Sequence, residues 1–234
     1  MDKNSNSYTF IYASVMVIVV AAVLALAAVN LKPYQEKNVA IEKKQNILKS
    51  VNIVVDAAHA EDKYSDVITD AFVVNNQGEK VDGDAFTVNL KAQYSERDAS
   101  KKLLPVFVAK TDKGTKYIIP LYGAGLWGPI WGYISLNEDM STIYGATFDH
   151  QGETPGLGAE IATSGFQKPF VGKTIFDKSG KLVSITVAKA SEKATANPAH
   201  SVDAISGGTI TSKGLQAMVG DDLKLYENFI KKVK

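Results

Sequence analysis

The chain has 234 residues, a formal net charge of +1 and 45% hydrophobic residues, enough for one sizeable core. It has no cysteine, which excludes disulfides, thiolate metal sites and iron–sulfur clusters. Apart from Arg97 its basic residues are lysines, no basic block alternates with aromatics, and His59, His150 and His200 are scattered, so the sequence points to no nucleic acid and no zinc site.

The first element is apolar. Between Asn4 and Leu31 there is no Asp, Glu, Lys or Arg, and the core runs "FIYASVMVIVVAAVLALAAV" from Phe10 to Val29. About 20 residues at about 1.5 Å each reach roughly 30 Å, the hydrocarbon thickness of a bilayer. A cleaved signal peptide has an apolar region of about 7–15 residues behind a basic segment. Here the run is longer and the leading "MDKNSNS" is barely basic, although "ALAAVN" offers small residues for cleavage. A retained transmembrane anchor over residues 1–33 is the better reading. Lys3 precedes the span and Lys32, Lys37, Lys43, Lys44 and Lys49 follow it. The positive-inside rule alone would keep the large domain in the cytoplasm, but that rule weakens where a long domain follows.

The segment "KPYQEKNVAIEKKQNILKSV" predicts a charged helical stalk over residues 34–50, with Val39, Ile41, Ile47, Leu48 and Val51 giving only a ragged apolar face. A single domain is expected over residues 51–234. "AFVVNN", "GEKVDGD" and "AFTVNL" read as strands around Asn, Gly and Asp turns. "LLPVFVAK", "TKYIIPLY", "PIWGYISLN" and "STIYGATFD" follow as β-rich segments, with "TDKG" and "NEDM" at turns that favour antiparallel neighbours. "KLVSITVAKA" is another strand candidate. Leu215, Met218, Val219, Leu223, Tyr226, Phe229, Ile230 and Val233 recur at three and four and predict one last helix. The fold class is α+β, with helices packed on a curled antiparallel sheet.

Three stretches could carry chemistry. In "DAISGGTITSKGL", Asp203 to Leu215, Gly207 and Gly208 permit positive φ and close backbone approach, and Thr211 or Ser212 stands where an N-cap belongs. A helix start there favours an anion by roughly 0.3–1 kcal/mol. The residues alone favour a capped turn, since "GTITSKG" does not match a P-loop. In "FDHQGETPGLGAEI", Phe148 to Ile161, Pro155 fixes φ among Gly152, Gly156 and Gly158. The result is a pre-shaped polar loop, and a metal site from Asp149, His150 and Glu153 has no diagnostic spacing. "PLYGAGLWGPIWGYI", Pro120 to Ile134, sets Trp127 and Trp131 among glycines and prolines. Such rings suit a flat ligand, although Trp131 fits a core position within a strand. A Ser–His–Asp hydrolase from His200, Asp203 and Ser206 is disfavoured, because no "GxSxG" elbow is present and the three lie too close in sequence to converge.

Together "GETPGLG" and "SGGTITS" resemble the C subunit of the sodium-translocating NADH:quinone oxidoreductases, and more broadly the FMN-binding domain shared with the G subunit of the Rnf complex. The resemblance runs from the N-terminal span to the last helix, and "PLYGAGLWGPIWGYI" points to the former. It implies FMN joined covalently by a phosphoester to the second threonine of a motif matched by Asp203, Ser206, Gly207, Thr209 and Thr211, so that Thr211 is the attachment residue. Gly208 replaces the commoner alanine, and "YGATFD" around Thr147 lacks the later threonine. No base is evident near Thr211, and the resemblance supplies a separate Mg2+-dependent flavin transferase that uses FAD. It places the flavin ring near Glu153, Thr154, Gly156, Leu157 and Gly158, with Leu126 and Trp127 beside them. It implies the A, B, D, E and F subunits as partners, a single-pass location in the inner membrane with membrane lipid around the span, and the large domain on the periplasmic side. The implied function is electron relay from NADH toward quinone, coupled to sodium export. Alternatives are the Rnf protein and a non-redox, membrane-anchored extracytoplasmic binding module.

Overall fold

A computed structural model describes residues 5–234; residues 1–4, including Lys3 and the start of the expected anchor, lie outside the described residues. The chain divides into two compact units after Lys43. The first is most of one helix, α1 (Asn6–Ser50), which continues through Pro33. Proline removes one backbone donor there. Ser5 opens the helix by accepting from Tyr8 N–H at 3.2 Å. Its apolar stretch is long enough to cross a membrane and is exposed throughout.

The second unit is built on a six-stranded antiparallel sheet of order β2-β1-β3-β4-β5-β6. Its strands are β1 (Ile68–Val74), β2 (Lys80–Val81), β3 (Leu104–Thr111), β4 (Gly114–Ala124), β5 (Pro129–Leu136) and β6 (Ile143–His150). The two expected turns join antiparallel neighbours: Thr111 pairs with Gly114, whose φ is +88°, across "TDKG", and Leu136 pairs with Ile143 across "NEDM"; a further hairpin closes where Ala124 pairs with Pro129. Side chains alternate across the sheet. Val74, Val106, Ile119, Leu121, Ile130, Ile134 and Leu136 face one core, while Val73, Phe107, Ile118 and Tyr133 face another.

The second core takes in the end of α1. The sequence pattern leaves Ile47, Leu48 and Val51 on a ragged face of a solvated stalk; all three are buried here. Ser135 Oγ donates to Ser50 O at 2.5 Å and to Gly145 O at 3.2 Å, and Asn52, at φ 62°, donates from Nδ2 to Tyr144 O at 2.9 Å. These bonds hold the helix end on the sheet. An asparagine just past a helix tolerates the left-handed conformation. The helix α2 (Ala60–Val67) also contributes Val67 to this core.

After the short helices α3 (Leu90–Ser95) and α4 (Ser164–Gln167), the first core is closed by α5 (Thr209–Leu225) and α6 (Glu227–Val233). Gly214, Met218 and Asp222 of α5 and Tyr226 just past its end, four apart, form the stripe that tracks the sheet. A Cβ on Gly214 would meet Ala124 O, a Cβ on Gly123 would meet Met218, Tyr122 N–H donates to Asp222 Oδ2 at 2.7 Å, and Tyr226 O–H donates to Pro105 O at 2.8 Å. The two helices were expected as one. Tyr226, at φ −85° and ψ −1°, separates them, its ring buried and its hydroxyl tied to β3.

Three further expectations differ. "AFTVNL" is not a strand: Asp84 Oδ1 accepts from Phe86 N–H at 2.9 Å, and Asn89 caps α3 (Leu90–Ser95) by accepting from Ala92 N–H at 3.1 Å. Local side-chain acceptors here outcompete strand pairing. "KLVSITVAKA" yields only β7 (Thr186–Ala188), which pairs in parallel with β8 (Ser201–Asp203) outside the main sheet. Trp131 is half-buried on β5 rather than in either core.

Candidate functional site

Three segments meet at one end of the sheet. The first is the β4–β5 hairpin tip, closed by Gly125 N–H donating to Gly128 O at 2.8 Å. It leaves Leu126 and Trp127 exposed, Trp127 by 68%. The second follows β6. Pro155 and Gly156, the latter at φ +74°, sit at the centre of a turn that Leu157 N–H closes onto Thr154 O at 3.1 Å. Proline followed by a positive-φ glycine is the signature of a type II turn. Gly156 N–H also donates to Glu160 Oε1 at 3.1 Å. The third segment is the start of α5.

That helix starts earlier than expected. Its N-cap is Gly208, and neither Thr211 nor Ser212 caps it. Ser212 N–H makes a 2.9 Å bond to Gly208 O, while its hydroxyl accepts from Ile205 N–H at 3.1 Å. The N–H groups of Thr209, Ile210 and Thr211 therefore precede the helical ladder, as the first donors of any helix do. Gly207 has φ +77°, and a Cβ there would lie 2.6 Å from Leu157 Cδ2; a Cβ on Gly208 would lie 2.9 Å from Ile205 Cγ2, so the expected close approach holds for both glycines and the positive φ for Gly207.

Around these segments lies a cavity of about 350 Å³ lined by Leu126, Trp127, Glu153, Thr154, Leu157, Gly158, Gly207, Gly208, Thr209, Ile210 and Thr211. The structure thus brings together residues drawn from all three stretches. Asp203, Ser206 and Gly156 are not among its lining residues. Asp203 is exposed and paired with Lys193 at 2.6 Å, and Ser206 and Gly156 are exposed.

Glu153 and Thr211 form the polar floor. They are 4% and 1% exposed, and Thr211 Oγ1 donates to Glu153 Oε2 at 2.5 Å. Glu153 Oε1 accepts from Trp127 N–H at 2.8 Å, and Glu153 N–H donates to His150 Nδ1 at 3.1 Å. The carboxyl is threaded between two glycines. A Cβ on Gly125 would fall 2.5 Å from Oε1, and one on Gly158 would fall 2.3 Å from Oε2 and 2.5 Å from Thr211 Oγ1. No base is evident near Thr211 along the chain; the structure supplies a carboxyl group 58 residues away. Glu153 is turned toward Thr211 and Trp127 and not toward a shared site with Asp149 and His150. Ile210, which was not singled out, is 58% exposed at the rim beside Leu157. Its place one residue before Thr211 on the helix start was the available signal.

A hydroxyl at the first turn of a helix, an apolar rim and an exposed indole can hold an anionic group bearing a flat ring. The helix start suits the anion, and the rim suits the ring. The residues present fit FMN on these grounds.

Comparison with known proteins agrees in kind. The FMN-binding domain family matches residues 125–224, which contain all three segments. The chain is 32% identical to the C subunit of the Na(+)-translocating NADH-quinone reductase of Haemophilus ducreyi, over 92% of this chain and 88% of the relative. It is 33% identical to the protein of the same name from Neisseria meningitidis serogroup B, with the same coverage. The crystal structure of the C subunit from Parabacteroides distasonis superposes with a TM-score of 0.77 at 48% identity, covering 86% of this chain and 96% of that one. The chain belongs to the family of C subunits of the Na(+)-translocating NADH-quinone reductases and carries that family's FMN-binding domain.

Proposed function

We propose that Thr211 carries FMN through a phosphoester and that the domain relays electrons from NADH toward quinone within a sodium-exporting complex. The observation that carries this reading is the Thr211 hydroxyl on the floor of a cavity at the start of α5, under a rim of Trp127, Leu126, Leu157 and Ile210. FMN, when bound, supplies the redox chemistry, and the protein supplies position and electrostatics. Thr211 would anchor the phosphate and the first N–H groups of α5 would face it. Trp127, Thr154 and Leu157 would border the ring. Their exposure leaves one side of the cavity open to neighbouring subunits, as electron transfer between proteins requires.

The same reading assigns residues 1–33 to a membrane anchor, 34–50 to a stalk whose last turn packs into the domain core, and 51–234 to the FMN-binding domain, in a single-pass inner-membrane protein. We place the domain on the periplasmic side, because translocation of a long domain is largely insensitive to the lysines that follow the span. The A, B, D, E and F subunits are its partners, and an FAD-using, Mg2+-dependent flavin transferase loads it. Sodium passes through other members of the complex, because this chain's apolar span contains no charged residue.

The test is intact mass spectrometry of the full chain co-expressed with the transferase, beside Thr211→Ala. A mass increase of one FMN-phosphoryl group that survives denaturation and disappears in the variant supports the reading. An unmodified wild type, with the transferase active on another substrate, overturns it.

A further inference from the structure

A threonine hydroxyl is a weak nucleophile until a base takes its proton. Thr211 Oγ1 already donates to a carboxyl oxygen, Glu153 Oε2, at 2.5 Å, within the reach required of a general base. The carboxyl has little freedom to leave. Its other oxygen accepts from Trp127 N–H at 2.8 Å, the backbone N–H of Glu153 donates to His150 Nδ1 at 3.1 Å, and Gly125 and Gly158 close around the carboxyl. The cavity opens onto both residues. Asp203, the acidic residue of the threonine motif, points elsewhere and pairs with Lys193.

From this juxtaposition we infer that Glu153 is the base that activates Thr211 when the flavin is attached. The inference rests on Thr211 being the attachment residue. In the step, Thr211 Oγ1 attacks the flavin-side phosphorus of a flavin dinucleotide. The Oγ1–P bond forms as the pyrophosphate P–O bond breaks, and a nucleoside monophosphate leaves. The Oγ1 proton moves to Glu153 Oε2, and nothing is oxidised or reduced. The proton is then well placed. The product is a phosphodiester anion on the oxygen that faced Glu153, and a protonated carboxyl can donate to it where an ionised one would repel it.

Glu153→Gln separates proton transfer from packing. Glutamine keeps the shape, its carbonyl can accept from Trp127 N–H, and its amide can donate to Thr211 Oγ1, but it cannot take the proton. The full chain, purified in detergent from a host without transferase, is incubated with purified transferase, FAD and Mg2+. The flavin-bearing mass is followed in time across pH, for wild type, Glu153→Gln and Glu153→Asp. Glu153→Gln is expected to load about 10²–10⁴-fold more slowly and to lose the acid limb of the wild-type pH profile. Glu153→Asp, which keeps a carboxylate, is expected to recover part of the rate and the limb. A wild type loaded at Thr211, with both variants keeping its pH profile, at equal rate or equally slowed, overturns the role of Glu153 alone. A wild type that takes up no flavin at Thr211 overturns the attachment reading and this inference with it.

Discussion

Gly214 of α5 lies so close to Ala124 of β4 that a Cβ on it would come within 2.2 Å of the Ala124 carbonyl oxygen. Glycine in a helix costs about 1 kcal/mol relative to alanine. Here that cost is offset by the close seat it gives the helix against the sheet, one turn after Thr211. Gly220 lies on the same helix with only Ser184 Oγ near its would-be Cβ, at 3.8 Å.

The pair predicts opposite signs for one substitution. Gly214→Ala must push α5 from a strand carbonyl that cannot yield, at about 1–3 kcal/mol, more than the propensity gained. Its thermal midpoint should fall by about 2–8 °C. Gly220→Ala should rise, gaining up to about 1 kcal/mol. Thermal unfolding of both full-length variants checks this, and a midpoint for Gly214→Ala at or above wild type would refute the close seat.

Trp127 presents an exposed ring, while its backbone N–H, which no substitution by alanine removes, holds Glu153. Trp127→Ala should therefore leave the unloaded protein within about 0.5 kcal/mol of wild type. If the ring borders the flavin, the extra stability that loading confers should shrink by about 0.5–1.5 kcal/mol. The measurement is the loaded-minus-unloaded midpoint for each protein. An unchanged difference would remove Trp127 from the flavin's surroundings.

Asp222 faces a second cavity of about 320 Å³ between α3, β4 and α5, lined also by Lys102, Tyr122, Asp221 and Tyr226. Burial pushes its carboxyl from 3.8 up to about 7, and Asp221 adds to the rise; the Tyr122 N–H and Lys102 oppose it. The folded state then holds a proton that the unfolded chain releases. This group's effect is absent below about pH 4, weakens the fold as pH rises from 4 to 7, and is constant above. A rise of this size corresponds to a loss of the order of a few kcal/mol. Asp222→Asn keeps an acceptor for Tyr122 N–H and removes the titration. The wild-type minus variant midpoint, followed from pH 4 to 7, should fall across that window; a flat difference would show that Asp222 is not protonated in the fold.

Much of this was legible locally. The charge-free run in α1, the Asp-Lys hairpin loop before Gly114, and the turn set by Pro155 and Gly156 each depend on a few neighbouring residues. The errors arose where local acceptors or distant anchors intervened. Asp84 and Asn89 turned an apolar alternation into turn and helix, and the Tyr226 hydroxyl, bonded to Pro105, stands where an unbroken apolar period was expected to continue as one helix. The motif threonines were visible, but their environment was not. Nothing in sequence separates the exposed Asp203 from the buried Glu153 as the carboxyl that meets Thr211.

By itself the sequence determined the elements that short-range rules control: an apolar helix of bilayer length, antiparallel hairpins at glycine-bearing turns, and a glycine-flanked helix start rich in hydroxyls. Which groups share the cavity depends on packing between segments far apart in the chain. The hairpin tip, the turn after β6 and the first turn of α5 come together because β4, β5 and β6 pair in register while α5 seats on β4 through Gly214 and Gly123. Contacts across 58 residues, such as Glu153 with Thr211, follow from that packing and from no local preference of either residue.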